Sequence, residues 1–125
     1  MSYMVHHAII VTSWDKPRLS KMHEYACRLF PAVSDILASI ITGYQSFFIP
    51  TDGSKDGWKE DDDLYRLEAD HNRREFIKLL KAEEYDDDHS SVLHWAEVQY
   101  GDDNMQTLVL QSSDHRKRDA LRMKR

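Results

Sequence analysis

The densest group of candidate metal ligands lies between Asp52 and Asp63, where carboxylates alternate with two Asp-Gly turns. Side-chain oxygens stand at positions 1, 3, 5, 9 and 12 of this segment, and a glycine stands at position 6. A calcium loop supplies its ligands at these positions, and its glycine permits the sharp turn around the ion. The spacing therefore predicts a calcium site whose ligands are Asp52, Ser54, Asp56, Glu60 and Asp63.

Three features of the same segment favour a different interpretation. Position 12 is Asp63 rather than a bidentate glutamate, Lys59 replaces the usual apolar residue, and strand-forming residues precede the segment. The alternative is an acidic surface loop built on the Asp-Gly turns at 52–53 and 56–57, with Trp58 anchoring it to the core. The cofactor expectation is accordingly either calcium or none.

Histidine and cysteine form two further groups. His6 and His7 are neighbours on a predicted strand, where adjacent side chains point to opposite faces, so they cannot share one metal ion. His23 and Cys27 stand four residues apart on a predicted helix, a spacing that could pair a thiol with an imidazole. Because Cys27 adjoins the apolar stripe of that helix, a buried and inert thiol is the more common arrangement.

Motifs typical of catalysis are missing from the sequence. It contains no glycine-rich phosphate loop, no G-x-S-x-G and no H-E-x-x-H, and His89 and His94 are followed by no third ligand at zinc-like spacing. The carboxylate runs 61–63 and 86–88 are typical of solvated loops rather than of groups tuned for acid–base chemistry. We assign no catalytic residue and expect a non-enzymatic role.

The charge is unevenly distributed along the chain. The formal net charge is −5, yet the last ten residues hold six of the 17 basic residues and one of the 22 acidic ones. The acidic remainder disfavours nucleic acid and anionic membranes, except through the basic tail, and favours a protein partner with a basic surface. The expected partner contacts are Trp58 and the aspartates Asp61, Asp62, Asp86, Asp87 and Asp88.

Length and composition predict one domain over residues 1–114, followed by a basic, flexible tail over 115–125. The single cysteine excludes an intramolecular disulfide, and no apolar run reaches the ~18 residues of a membrane span. The first ten residues lack a signal-peptide pattern. The expected location is therefore the cytoplasm.

The apolar pattern predicts the order βαββαββ. Residues 3–13 form a strand, a helix begins after Asp15-x-Pro17 and ends before Pro31, and a second helix lies between residues 62 and 84. Strands are also expected at 44–49, 93–100 and 105–111, the last two as a hairpin. Residues 33–42 suit a strand or a short helix, and we favour the strand.

This order predicts an α+β fold, with two helices on one face of a mostly antiparallel sheet of four to five strands, a variant of the ferredoxin-like arrangement. The strand at 3–13 is apolar on both faces, so it should lie inside the sheet. We expect both Ile9 and Ile10 to be covered, and Ile10→Asp to unfold the domain.

Four strings of the sequence, HHAIIVTSWD, GYQSFFIPTDGSKDGW, REFIKLLKAEEYDD and HWAEVQYGDD, resemble a family of small proteins encoded by tailed phages and bacterial prophages. The resemblance covers nearly all of residues 6–103 and leaves out the tail. It implies a setting of infection, prophage maintenance, defence or counter-defence, and it implies no mechanism.

Charge and resemblance together predict a small acidic binding protein, an inhibitor or adaptor that docks on a host protein and could mimic DNA with its carboxylates. The alternative is a small-molecule or nucleotide-binding protein with a pocket between sheet and helices, near His7, Tyr44 and Trp58. A third possibility is a homo-oligomer that pairs through an edge strand.

Overall fold

The computed structural model describes the backbone of residues 3–50, 55–56, 63–86, 90–101 and 107–113, and the side chains of residues 6–50, 71–86, 90–101 and 107–113. Its elements, in chain order, are β1 (Tyr3–Ser13), α1 (Lys16–Leu29), β2 (Leu37–Ala38), β3 (Gln45–Ile49), β4 (Lys55–Asp56), α2 (Asp63–Glu83), β5 (Leu93–Gly101) and β6 (Leu108–Ser112).

The sheet is antiparallel, with the strand order β2-β3-β1-β5-β6 and β4 paired to the start of β1. β1 lies between β3 and β5, which confirms that it is interior to the sheet. Each helical connection passes over one strand, from β1 to β2 across β3 and from β3 to β5 across β1. This is the split βαβ arrangement of ferredoxin-like folds, here extended by β6. The predicted fold class is confirmed.

Helix α1 begins where its capping residues predict. The carboxylate of Asp15 accepts a hydrogen bond from the backbone N–H of Arg18 at 3.1 Å, and Pro17 occupies the first turn. Leu19, Met22 and Ala26 are buried along one stripe. The helix ends at Leu29, and Pro31 prevents it from continuing.

Helix α2 buries the three residues expected from its periodicity, Phe76, Ile77 and Leu80. Phe76 meets Phe30 edge to face, with ring centroids 5.7 Å apart, so the two helices share one core above the sheet. Because both helices lie on this side, Ile9 is 1% exposed while Ile10 is 46% exposed. The expectation that both isoleucines are covered is therefore wrong for the single chain.

Hydrogen bonds between polar groups connect the end of α2 to the start of β5. The indole Nε1 of Trp95 donates to Glu84 Oε1 at 2.6 Å, and Glu84 is 1% exposed. The backbone carbonyl of Glu84 accepts from the N–H of Val92 at 2.7 Å, while Ser13 Oγ donates to the carbonyl of Val92 at 2.8 Å. A buried polar cluster therefore fixes where β5 enters the sheet beside β1.

The segment 33–42 contains much less strand than predicted. Only Leu37–Ala38 pair with β3, and Ser39 Oγ then accepts from the N–H groups of Ile41 and Thr42, which turns the chain. Ile40 and Ile41 are almost fully exposed, at 101% and 92%. The short strand β4 was not predicted. The predicted strand over 105–111 is found as β6, and its residues 105 and 106 lie outside the described residues.

Candidate functional site

The face of the sheet that points away from the helices is called here the open face, and every side chain that the structure describes on it is uncharged. Alternation along the strands places the following residues on it: Leu37, Ser46, Phe48, His6, Ala8, Ile10, Thr12, His94, Ala96, Val98, Tyr100 and Val109. Asp, Glu, Lys and Arg make up 31% of the chain, so their absence from the described side chains of this face is a compositional bias. Lys55 pairs with Met4 at the edge of the sheet, and its side chain is outside those that the structure describes. Charge depletion of this kind characterises the centre of protein–protein interfaces.

The open face is largely apolar, and no described element of the chain covers it. Ile10 is 46% exposed, its cross-strand partner Phe48 is 44% exposed, and Tyr100 is 39% exposed. The side chains of Ile9 and Phe47, next to them on the opposite face, are each 1% exposed. The open face therefore has the apolar character of a buried layer, although no described helix or strand packs on it.

Two ring pairs hold large side chains at opposite ends of the open face. His6 and Tyr100 have centroids 5.1 Å apart near the start of β1, and Tyr44 stacks on His94 at 6.1 Å and 24° near its end. Rings fixed in this way lose little entropy on binding and present both apolar area and a polar tip, as interface anchors do.

The open face is large enough to supply more than half of a typical interface. β1 and β5 are paired over residues 5–13 and 93–101. Strands about 4.8 Å apart with a rise of about 3.3 Å per residue give these five strands, of 11, 2, 5, 9 and 5 residues, a footprint of roughly 500 Å². Stable interfaces bury about 800 Å² on each partner.

A cavity of about 150 Å³ lies on the other side of the sheet, between the strands and α2, and is lined by His7, Arg73, Arg74, Ile77, Glu97, Gln111 and Leu110. Gln111 Nε2 donates to Glu97 Oε1 at 2.9 Å, and Glu97 is 6% exposed. His7 Nε2 lies 3.3 Å from Gln99 Oε1, an oxygen that only accepts, so Nε2 donates. Within the described part of the chain, the buried Nδ1 of His7 has no hydrogen-bond partner.

His6 and His7 point to opposite faces, as predicted: His6 packs on Tyr100 of the open face, and His7 lines the cavity. The expected pocket between sheet and helices thus includes His7, whereas Tyr44 lies on His94 and Trp58 is outside the described residues.

His23 and Cys27 are close, but their geometry favours packing. His23 Nε2 donates to the carbonyl of Ser34 at 2.9 Å, and Cys27 Sγ lies 3.9 Å from His23 Nδ1. The ring of His23 meets Phe47 edge-on at 5.1 Å. Cys27 is exposed, so the expectation of a buried thiol is wrong.

Only two of the predicted calcium ligands belong to described elements. Asp56 lies in β4, paired with Tyr3, and Asp63 is the first residue of α2. Asp52, Ser54 and Glu60 lie outside the described residues. The described side chains include no group of three or more His, Cys, Asp or Glu that could hold a metal ion. The calcium site stays a prediction.

Of the expected partner contacts, Asp86 is the one that the structure describes. Its Oδ1 lies 2.9 Å from Arg18 Nη2, and Arg18 Nε lies 3.6 Å from Glu83 Oε2. Lys21 Nζ contacts Glu83 Oε1 at 2.6 Å, and this hydrogen bond raises the pKa of Lys21. Asp86 therefore helps to join the start of α1 to the end of α2. Trp58, Asp61, Asp62, Asp87 and Asp88 lie outside the described residues.

Sequence reasoning missed the open face and the polar lining of the cavity. The signal for the open face was the run of uncharged residues at alternate positions in 6–12 and 94–100. No such signal existed for the cavity, because its lining comes from β1, α2, β5 and β6.

No protein-family model, curated protein or solved structure matches this chain. Over the described residues, neither helix has the length and apolar character needed to cross a membrane.

Proposed function

We propose that this chain is a non-enzymatic binding protein that docks a partner protein through the open face of its sheet. The observation that supports the proposal is a half-exposed apolar face whose described side chains carry no charge, in a chain that is 31% charged. Ile10 and Phe48 form its centre, and the ring pairs His6–Tyr100 and Tyr44–His94 flank it.

The net charge favours a particular kind of partner. At −5 per chain, two copies brought face to face would bring like charges together, whereas a partner with an apolar patch and a basic rim would be attracted. The expected contacts Trp58, Asp61, Asp62, Asp87 and Asp88 lie outside the described residues, and the proposal rests on the open face without them. The resemblance to phage proteins suggests a host protein as partner, with inhibition or adaptor activity as the result.

The test compares capture of host proteins by the wild type and by two variants of the face, Ile10→Asp and Phe48→Asp. The matched control is Ser20→Asp, which adds the same charge at an exposed position of α1. We expect the wild type and Ser20→Asp to capture one host protein in stoichiometric amount. Either face variant should capture at least about tenfold less of that protein.

The proposal would be overturned if the captured protein bound all four chains equally. Light scattering supplies a second criterion, because we expect the free chain to be a monomer. A face-dependent dimer that captures no partner would replace the proposed partner with a second copy of this chain.

A further inference from the structure

We propose that the turn between β2 and β3, residues 39–44, inserts Ile40 and Ile41 into an apolar pocket of the partner protein. This turn is called here the apolar tip. The inference rests on the proposed docking function, because it assigns to the same partner a second contact beside the open face.

The two isoleucines of the apolar tip contribute nothing to the core. Ile40 is 101% exposed and Ile41 is 92% exposed, although isoleucine is among the residues most often buried in proteins. The sequence around them contains no charged residue between positions 36 and 50, in a chain that is 31% charged. Adjacent exposed isoleucines in an uncharged segment are suited to burial against another molecule.

Hydrogen bonds order the backbone of the apolar tip. The N–H of Ser39 donates to the carbonyl of Tyr44 at 2.9 Å and closes the turn. Ser39 Oγ accepts from the N–H groups of Ile41 and Thr42, each at 3.2 Å. Thr42 Oγ1 accepts from the N–H of Tyr44 at 3.3 Å. Because the backbone is already ordered and isoleucine is restricted at χ1, the apolar tip loses little entropy when it enters a pocket.

Both ends of the apolar tip adjoin the open face. Leu37, just before the tip, lies on that face and is 62% exposed. Tyr44, at the other end, stacks on His94 of the same face. A partner that covers the open face therefore meets the apolar tip at its border. The tip adds apolar area to a face that alone is smaller than a typical interface.

The backbone of the apolar tip favours a protein pocket over a lipid surface. An irregular turn carries polar backbone groups that the hydrocarbon region of a membrane cannot satisfy, whereas a pocket can supply hydrogen bonds at its mouth. The net charge of −5 also repels anionic lipid. The same charge makes a second copy of this chain a poorer occupant than a partner with a basic rim.

The test uses the host protein that p-benzoylphenylalanine at position 48 crosslinks, identified by mass spectrometry and then purified. Titration calorimetry measures its affinity for the full chain. We expect Ile40→Ala and Ile41→Ala each to weaken binding by at least about tenfold, because each removes apolar area that only the complex buries. Ile41→Val keeps the β-branch and should stay within about threefold of the wild type.

Leu108→Ala is the matched control. It truncates another exposed apolar side chain, 42% exposed, at the edge strand β6, where Leu108 pairs with Gln99. We expect this variant to bind the partner as the wild type does. Both tip variants should keep the Tm of the wild type within a few degrees, because the side chains that they truncate are exposed, and this excludes misfolding as the cause of weaker binding.

The outcomes distinguish this inference from the docking function. The inference is refuted if both tip variants bind as the wild type does while Phe48→Asp does not. Binding that Phe48→Asp leaves unchanged, or no crosslink from position 48, overturns the docking function and this inference with it. Phosphatidylcholine vesicles supply a further criterion: sedimentation of the wild type with the vesicles, abolished by Ile41→Ala, would replace the protein pocket with a membrane.

Discussion

The neighbouring residues Ile9 and Ile10 provide a matched pair that tests whether one face of the sheet is open. They share a residue type and a strand, but Ile9 is 1% exposed and Ile10 is 46% exposed. We expect Ile9→Asp to abolish folding and Ile10→Asp to leave a folded chain. This reverses the expectation from sequence that Ile10→Asp unfolds the domain.

The magnitudes follow from burial. Fully burying an isoleucine contributes about 1.5–3 kcal/mol, so the half-exposed Ile10 contributes about 1 kcal/mol. The poor strand propensity of aspartate adds up to about 1 kcal/mol. At Ile9 the same change loses the full burial term and places an unpaired carboxylate in the core, which costs several kcal/mol more. That sum approaches the total stability of about 5–15 kcal/mol for a small domain.

Thermal unfolding followed by far-UV circular dichroism distinguishes the two outcomes. A loss of about 1–2 kcal/mol should lower the Tm of Ile10→Asp by roughly 5–15 °C, while Ile9→Asp should show no cooperative transition. The control Ile10→Thr keeps the β-branch without adding charge and should stay within a few degrees of the wild type. If Ile10→Asp unfolds the chain as Ile9→Asp does, the face is covered in solution, and the account of an open face is wrong.

Three further predictions concern other parts of the chain. Trp95→Phe removes the 2.6 Å hydrogen bond to the buried Glu84 and should lower the free energy of unfolding in urea by about 2–3 kcal/mol. The control Trp14→Phe, at a side chain that is 48% exposed, should leave it almost unchanged. Equal losses in the two variants would refute this role for Trp95. Millimolar calcium should give no saturable rise in Tm, because the segment 52–63 departs from a calcium loop at positions 8 and 12. A rise in Tm that Asp56→Ala abolishes would instead establish a calcium site in this segment. Deleting residues 115–125 should leave Tm within a few degrees, whereas a fall of about 10 °C or more would show that the tail packs on the domain.

The elements that could be predicted are those whose local signals agree. Asp15 and Pro17 mark the start of α1, and the spacing of Phe76, Ile77 and Leu80 defines the buried stripe of α2. These signals depend only on residues that are close in the sequence, so they can be recognised without knowledge of the tertiary structure.

The parts that could not be predicted depend on what covers each face. The run Ala8–Val11 is equally apolar on both faces, so its sequence does not show that the helices cover Ile9 and leave Ile10 open. Ile40 and Ile41 fit a strand by propensity, yet the hydrogen bonds of Ser39 turn the chain before they can pair. The cavity joins residues as distant as His7 and Gln111, whose meeting only the strand order determines.

Site-specific photo-crosslinking tests the central claim, that the open face binds a partner protein, most directly. The photoreactive p-benzoylphenylalanine replaces Phe48 at the centre of the face in one chain, and the exposed Lys81 of α2 in a control chain. In host cells, we expect the probe at Phe48 to give one discrete crosslinked species with another protein, and the probe at Lys81 to give none. Equal crosslinking from both positions, or none from Phe48, would contradict the account.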